Sequence, residues 1–509
     1  MVFQSMLTGF PDNKSELKVG EPKHFADLNL DQIVNGIAKR YERYNVKDLL
    51  MAPLSKLDDI KYRQQVFSDL ESKEILDAVR GFSECMKIIL VKISSLPDTF
   101  DIQREGRLLV AAKDYSISIR RLFDSLKMNN VKSTAFKEFI KYLEDYLSSM
   151  KFMKLEKDID ETERRIKSIR YHLVIGSDRV TVRKSDTNTL DYSFEVESVF
   201  SKFKEAHHET KSLTSRPGQG IGHVQAEILK LIEKLYPDEI KKLREFSAIH
   251  SNFIENTIMK VFQELQFYLA YLEYVEGPKN VGLPFCIPEF TESNAIEVNS
   301  GFDLALAVKL VKNKGTVITN DFHLEGVERI VVVTGPNNGG KTTFARSVGQ
   351  SFYLATLGVP IPGRKATLTL QDNIFTHFER IENVENLRGR LEDDLIRIKD
   401  IVDNCTNHSV VIINEMLSST TVNDATSIGT KVIDLIKAKN CLCIFVTFLD
   451  DFSRLEGVVS LVAQVSAENP EIRTYKIVRQ PSNGLAYALA LAHKHKLSYD
   501  DIRGRISND

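Results

Sequence analysis

One glycine-rich stretch constrains this chain more than any other feature. Gly335-Pro-Asn-Asn-Gly-Gly340-Lys341-Thr342 matches G-x-x-x-x-G-K-[ST], preceded by the apolar run Ile330-Val-Val-Val333 and followed by a predicted helix, Lys341–Leu357. Glycines let backbone N–H groups converge on phosphate oxygens, and a helix N-terminus adds a favourable dipole. In that frame the Lys341 ammonium neutralises phosphate charge and the Thr342 hydroxyl ligates Mg²⁺. The surrounding pattern agrees. Candidate strands Arg329–Thr334, Ser409–Asn414 and Leu442–Thr447 alternate with candidate helices Lys341–Leu357, Leu391–Asn404 and Thr426–Ala438. Such alternation predicts a mostly parallel α/β sheet.

A second strand completes the expected chemistry. Ser409-Val-Val-Ile-Ile-Asn414-Glu415 is an apolar run ending in polar groups. A strand of this kind usually presents an Asp to the Mg²⁺ shell and then a Glu to the attacking water. Here the Asp position is Asn414, whose amide can bond metal-bound water but brings no charge. Glu415 is the expected catalytic carboxylate.

The front of the chain reads differently. From about Asp27 to Met150 apolar residues recur at three- and four-residue intervals with few Gly or Pro, which predicts amphipathic helices with a turn at Pro53. Lys151–Pro217 opens with a charged helix and turns to a β-hairpin around Gly176-Ser177-Asp178. Ser215–His223 reads as a loop, and Phe246–Val275 as one helix of roughly 45 Å that Gly277-Pro278 and Pro284 to Pro288 end. The expected divisions are therefore an extension (1–26), a helical core (27–150), an insertion (151–223), long helices (224–290) and the α/β domain (291–509).

Composition narrows the partners. With 68 basic and 70 acidic side chains the net charge is −2, so any nucleic-acid surface must be a local patch. Between Lys151 and Lys184 ten Lys/Arg face six Asp/Glu. Arg164, Arg165, Lys167, Arg170, Arg179, Arg183 and Lys184 are the candidate contacts to a phosphate backbone there, against the alternative of a solvated helix face. Five cysteines without CxxC or zinc spacing read as reduced thiols, and no apolar run approaches a membrane span, so a cytoplasmic location is expected.

In order along the chain, Thr334-GPNNGGKTT-Phe344, Leu357-Gly-Val-Pro-Ile-Pro362, Asn373-IFT-His377, Val410-VIINE-Met416 and Ser419-TTVND-Ala425 resemble the ATPase domain of the MutS family. That family normally reads TGPNMGGKST, a Gly-x-x-Val-Pro loop, IFTR, LIDE and GTSTYDG. The similarity runs from about Val317 to Ile506, and Leu49–Glu71 is similar to the start of the family's core, or lever, domain. The resemblance implies a P-loop, ABC-type ATPase behind an all-α lever with a small clamp-like insertion, acting as a homodimer with ATP and Mg²⁺ between subunits. Carried over by position, nucleotide contacts fall on Gly335, Pro336, Asn337, Asn338, Gly339, Gly340, Lys341, Thr342, Thr343 and Val317. Mg²⁺ falls on Thr342 and, through water, Asn414. Catalysis falls on Glu415 and Lys341, and a partner-facing turn on Thr420, Thr421 and Asp424.

Departures from the pattern matter as much. Asn338 replaces the usual Met, and the family's signature Ser is not evident in Asn386–Asp394. Either Arg388 or Arg390 is the candidate for the trans contact with the γ-phosphate, since guanidinium pairs bidentately with phosphate. The family's switch His is Phe448, which together with Asn414 points to slow hydrolysis. Too few residues precede the helical region for the family's mismatch-recognition domain, and that domain is expected to be lacking. The implied function is ATP-driven, clamp-like closure on duplex or branched DNA, in mismatch repair or recombination. The alternative is an ABC-type scaffold for a protein or ribonucleoprotein partner.

Overall fold

The computed structural model describes residues 3–9, 22–95, 101–175, 180–185, 219–379, 389–417, 420–466, 468, 472–482 and 503. The chain divides into two compact units. The first contains Met1–Val2, Glu74–Asn130 and Phe139–Phe262; the second contains Phe3–Lys73, Val131–Glu138 and Gln263–Asp509. The N-terminal region is helical and the C-terminal region mixed α/β.

The first unit is built on long helices, among them Asp101–Met128, Met150–Ser168 and Pro237–Ile249. In Asp101–Met128 the buried positions Leu108, Ala112, Tyr115, Ile119, Leu122 and Leu126 follow the 3.6-residue period that the sequence displays. The expected hairpin is present as Tyr171–Ile175 and Val180–Lys184, antiparallel, with Tyr171 opposite Lys184; its tip, residues 176–179, lies outside the described residues.

Three sequence expectations are corrected here. Phe246–Val275 is not one helix: Pro237–Ile249 ends, and Asn256–Asn280 begins after residues 250–255. The side chain of Glu255 causes the restart, because its carboxylate accepts the N–H of Ile258 (3.0 Å) and the hydroxyl of Tyr142 (2.5 Å), while its own N–H donates to the Tyr115 hydroxyl (3.0 Å). Gly277-Pro278 does not end the second helix, which runs to Asn280 and closes at Gly282 in the left-handed region (φ +85°). Gln219–His223 is helical, the first turn of Gln219–Leu235, and not loop; Ser215–Gly218 lie outside the described residues.

The second unit centres on a six-stranded sheet: β1 (Ile330–Thr334), β2 (Ile374–Phe378), β3 (Val410–Asn414), β4 (Leu442–Val446), β5 (Val458–Val465) and β6 (Arg473–Arg479), in the order β2-β3-β4-β1-β5-β6. All neighbours are parallel except β5 and β6. Every residue of β1, β3 and β4 is buried, which explains their near-continuous apolar runs. A smaller four-stranded sheet includes Ile296–Gly301 and Asn320–Leu324.

The helix Lys341–Thr356, which follows β1, is buried on nearly all sides. Front-end residues clasp it. Arg346 donates to Asp27 O (2.8 Å), Gln350 to Leu28 O (2.8 Å), and Tyr353 to Leu50 O (2.8 Å). Its C-terminus is held by Arg63, which donates to Leu357 O (3.2 Å) and to Leu7 O (3.1 Å) with its guanidinium 5.1 Å from the Phe267 ring centre. Residues 3–9 are themselves built into this unit: Met6 is fully buried, Tyr268 donates to Met6 O (2.6 Å), and Ser5 donates to Glu264 (2.8 Å).

Candidate functional site

The turn from β1 into the helix Lys341–Thr356 is forced by packing. Gly335 sits at φ +117°, and a Cβ there would lie 2.9 Å from the Ala463 carbonyl on β5, so only glycine fits. The chain then wraps around the Lys341 side chain. Its Nζ donates to Gly335 O (2.9 Å) and Pro336 O (3.2 Å). Lys341 is 4% exposed. Burial pushes its ammonium below the ordinary lysine range; Glu415 and Asp450 oppose that shift, and Arg473 adds to it.

Two strand ends converge on the start of this helix. The Thr342 hydroxyl donates to Asn414 Oδ1 at the end of β3 (2.8 Å). This bond places a hydroxyl and an amide oxygen side by side, a neutral oxygen pair of the kind a hard divalent cation accepts. Glu415 follows at φ +55°, a region that a non-glycine residue rarely adopts, with its N–H donating to Val446 O on β4 (2.9 Å).

A cavity of about 850 Å³ opens above the turn. It is lined by Asn337, Asn338, Gly339, Gly340, Lys341, Thr342 and Thr343, and also by Glu415 and Val317. These sequence-selected residues therefore meet at one place, with Gly335 and Pro336 beneath as acceptors for Lys341. Thr420, Thr421 and Asp424 do not line this cavity. Thr421 instead caps the helix Val422–Lys439, accepting the Asp424 N–H (3.2 Å). Arg388 lies outside the described residues; Arg390 opens the helix Arg390–Asn404, and its side chain is not described. Phe448 is exposed just past β4.

Several cavity residues were invisible to motif reasoning. Asp303 and Leu306 come from the helix Leu304–Lys312 and its cap, and Tyr475 comes from β6. Their only signal would have been spatial, since each is separated from the glycine-rich turn by intervening strands or helices. Asp303 is 4% exposed; burial pushes its carboxyl up, against bonds from the Leu306 N–H and Gln350.

The basic residues of the first unit form a separate set. Arg164, Arg165, Lys167, Arg170, Arg183 and Lys184 are exposed; Arg179 lies outside the described residues. Several are engaged locally. Arg165 pairs with Glu161 (3.6 Å), Lys167 with Glu163 (2.9 Å), and the Lys184 ammonium lies 4.9 Å from the Tyr236 ring centre. Hydrogen bonds from Lys113 and Lys167 hold the Glu163 carboxyl below the usual range.

Comparison with known proteins locates the chain. Residues 331–499 match a family model described as MutS domain V. A DNA mismatch repair protein MutS of Clostridium kluyveri is 22% identical over 454 residues, covering 86% of this chain and 47% of that relative. Proteins of the same description from Clostridium botulinum (25% over 370 residues, 70% and 38%) and Rickettsia prowazekii (24% over 307 residues, 59% and 33%) are also similar. The chain spans about half the length, or less, of these relatives. No described helix is long and apolar enough to cross a membrane.

Proposed function

Since the chain belongs to the MutS family, we propose that it is an ATPase whose cavity above Gly335–Thr343 takes ATP with Mg²⁺. The observation that carries this reading is the convergence of Lys341, Thr342 and Glu415 on one cavity, with the Thr342 hydroxyl bonded to Asn414 Oδ1. Mg²⁺ supplies charge neutralisation between the phosphates; Thr342 and Asn414 are the residues that would hold it. Lys341 exchanges its two backbone carbonyls for phosphate oxygens, which repays the burial of its charge. Glu415 orients the attacking water and takes up its proton. Hydrolysis is slow, because Asn414 contributes no charge and Phe448 no switch imidazole.

Two copies of the chain pair in ABC fashion, with Arg388 or Arg390 and the Thr420–Asp424 turn facing the partner's nucleotide. ATP-dependent pairing drives clamp-like closure on duplex or branched DNA, with the exposed cations of 164–184 on the phosphate backbone. The local pairing of Arg165 and Lys167 with Glu161 and Glu163 favours a second reading, a nucleotide-dependent scaffold with a protein or ribonucleoprotein partner.

The decisive experiment is ATP turnover by the wild type and Glu415→Gln, with sedimentation in a non-hydrolysable nucleotide. Retained binding with turnover lowered at least about a hundredfold supports the assignment; unchanged turnover removes Glu415 from it. DNA affinity that falls steeply with salt supports the clamp, and absence of binding at low salt supports the scaffold.

A further inference from the structure

The cavity above the glycine-rich turn holds two acidic side chains among its described lining residues, Glu415 and Asp303. They stand at different places. Glu415 follows the end of β3, whose Asn414 is bonded to Thr342 at the turn. Asp303 is held by Gln350, roughly 13 Å of axial rise beyond Lys341 on the helix Lys341–Thr356. Thr343 and Ser347, a turn apart on one face of that helix, line the cavity on the way. The wall that accompanies Asp303 is apolar, with Phe302, Leu306, Leu310, Val317 and Ile318.

An acid in such a wall needs a reason. Asp303 caps the helix Leu304–Lys312, but an uncharged Ser or Asn would cap it as well without a buried charge. Its hydrogen bonds leave something over. Oδ1 accepts the Leu306 N–H (3.0 Å) and a Gln350 Nε2–H (2.9 Å), and the Ala305 N–H is a third donor to the carboxylate. A carboxylate offers about four acceptor sites, so one remains. The group is also fixed in place. Gln350, fully buried, donates its other N–H to Leu28 O (2.8 Å) and accepts the Leu304 N–H (2.8 Å), so it has no freedom to turn away. Burial pushes the Asp303 carboxyl up, and an N–H donor from a ligand would offset that cost.

We propose that Asp303 determines which base the cavity takes: its remaining acceptor site receives the exocyclic amine of adenine, whose ring lies against the apolar wall. A ribose would bring several hydroxyls to that wall and leave most of them unmet, whereas a flat purine brings an apolar face and one amine. A 6-oxo purine would set an oxygen against the carboxylate instead. The inference rests on the nucleotide reading and adds what selects among nucleotides. The glycine-rich turn cannot do so, because it meets phosphates that all nucleoside triphosphates share.

Binding of ATP, 2′-deoxy-ATP and purine riboside triphosphate, which lacks the amine, to the full chain tests it in the wild type and Asp303→Asn. The substitution keeps the helix cap and turns an N–H donor toward the ring. The wild type is expected to bind ATP at least about tenfold more tightly than the analogue without the amine, and Asp303→Asn to reduce that preference to about twofold or less. The melting temperature without nucleotide stays the same. A preference that is absent from the wild type, or unchanged by the substitution, overturns the proposal. So does an equal loss for ATP and the analogue without the amine, which marks Asp303 as a cap alone. A loss for ATP that 2′-deoxy-ATP does not share also overturns it, since the carboxylate then meets the ribose. A wild type that binds none of the three overturns the nucleotide reading itself.

Discussion

In the proposed Mg²⁺ site the Thr342 hydroxyl is bonded to an amide oxygen, that of Asn414, and this residue sets the charge there. An amide oxygen there offers the same geometry as a carboxylate without its Coulomb attraction, which at short range in a half-buried site is worth a few kcal/mol. Asn414→Asp is therefore expected to lower the Mg²⁺ concentration for half-maximal ATP turnover about tenfold, whereas Asn414→Ala raises it. A Mg²⁺ titration at fixed ATP checks both, and unchanged midpoints would take Asn414 out of the metal shell. Residues of this kind are legible in sequence because each lies where a short motif marks a strand end or a helix start, although 72 positions separate the two. Arg473 and Tyr475 are not: a bulge in an antiparallel ladder carries them to the turn, and no periodicity in β6 announces the irregular register.

Among the elements, Lys341–Thr356 is the one on which the site depends. Its surroundings include Arg63, whose guanidinium is buried between Leu7 O, Leu357 O and the Phe267 ring. Burial pushes the Arg63 pKa down, while Tyr268, Asp59 and Glu264 act in the opposite direction. Replacing Arg63 with Met leaves two carbonyls unmet and loosens the helix C-terminus. A loss of about 3 kcal/mol in unfolding free energy is expected, measured by urea titration of the full chain; a loss under about 0.5 kcal/mol would mean that the carbonyls find other donors. Gly358, next to this contact at φ +73°, leaves no room for a side chain, since a Cβ would meet Arg63 Cβ at 2.8 Å. The Val/Ile strands were readable as buried runs, and the helix bounds came within a few residues. What could not be read was the clasp by residues 27–50, because hydrogen bonds such as Gln350 to Leu28 span more than three hundred residues. Nor was the break at 250–255 readable, because a glutamate cap and a tyrosine hydroxyl from a distant helix create it.

At the scale of the molecule, the two units have different relations to the proposed ligand. Every residue lining the cavity belongs to the second unit. Ligand binding stabilises what it touches by RT ln(1 + [L]/Kd), about 2.7 kcal/mol at a hundredfold excess over Kd. Amide exchange in β1, β3 and Lys341–Thr356 should accordingly slow on adding ATP without DNA, while Asp101–Met128 stays unchanged. Equal protection in both units would show that they unfold as one.

The segment 3–9 has a consequence for how the chain comes into being. Its contacts include Tyr268 and, through Arg63, the carbonyl of Leu357. At roughly 5–20 residues per second a ribosome needs on the order of twenty to seventy seconds to deliver that last partner after Leu7 has been made. For that interval Phe3, Met6 and Leu7, all buried in the finished structure, wait for the last of the contacts that enclose their segment. The burial of these apolar side chains is therefore completed only after Glu264, Tyr268 and Leu357 have followed them out of the ribosome.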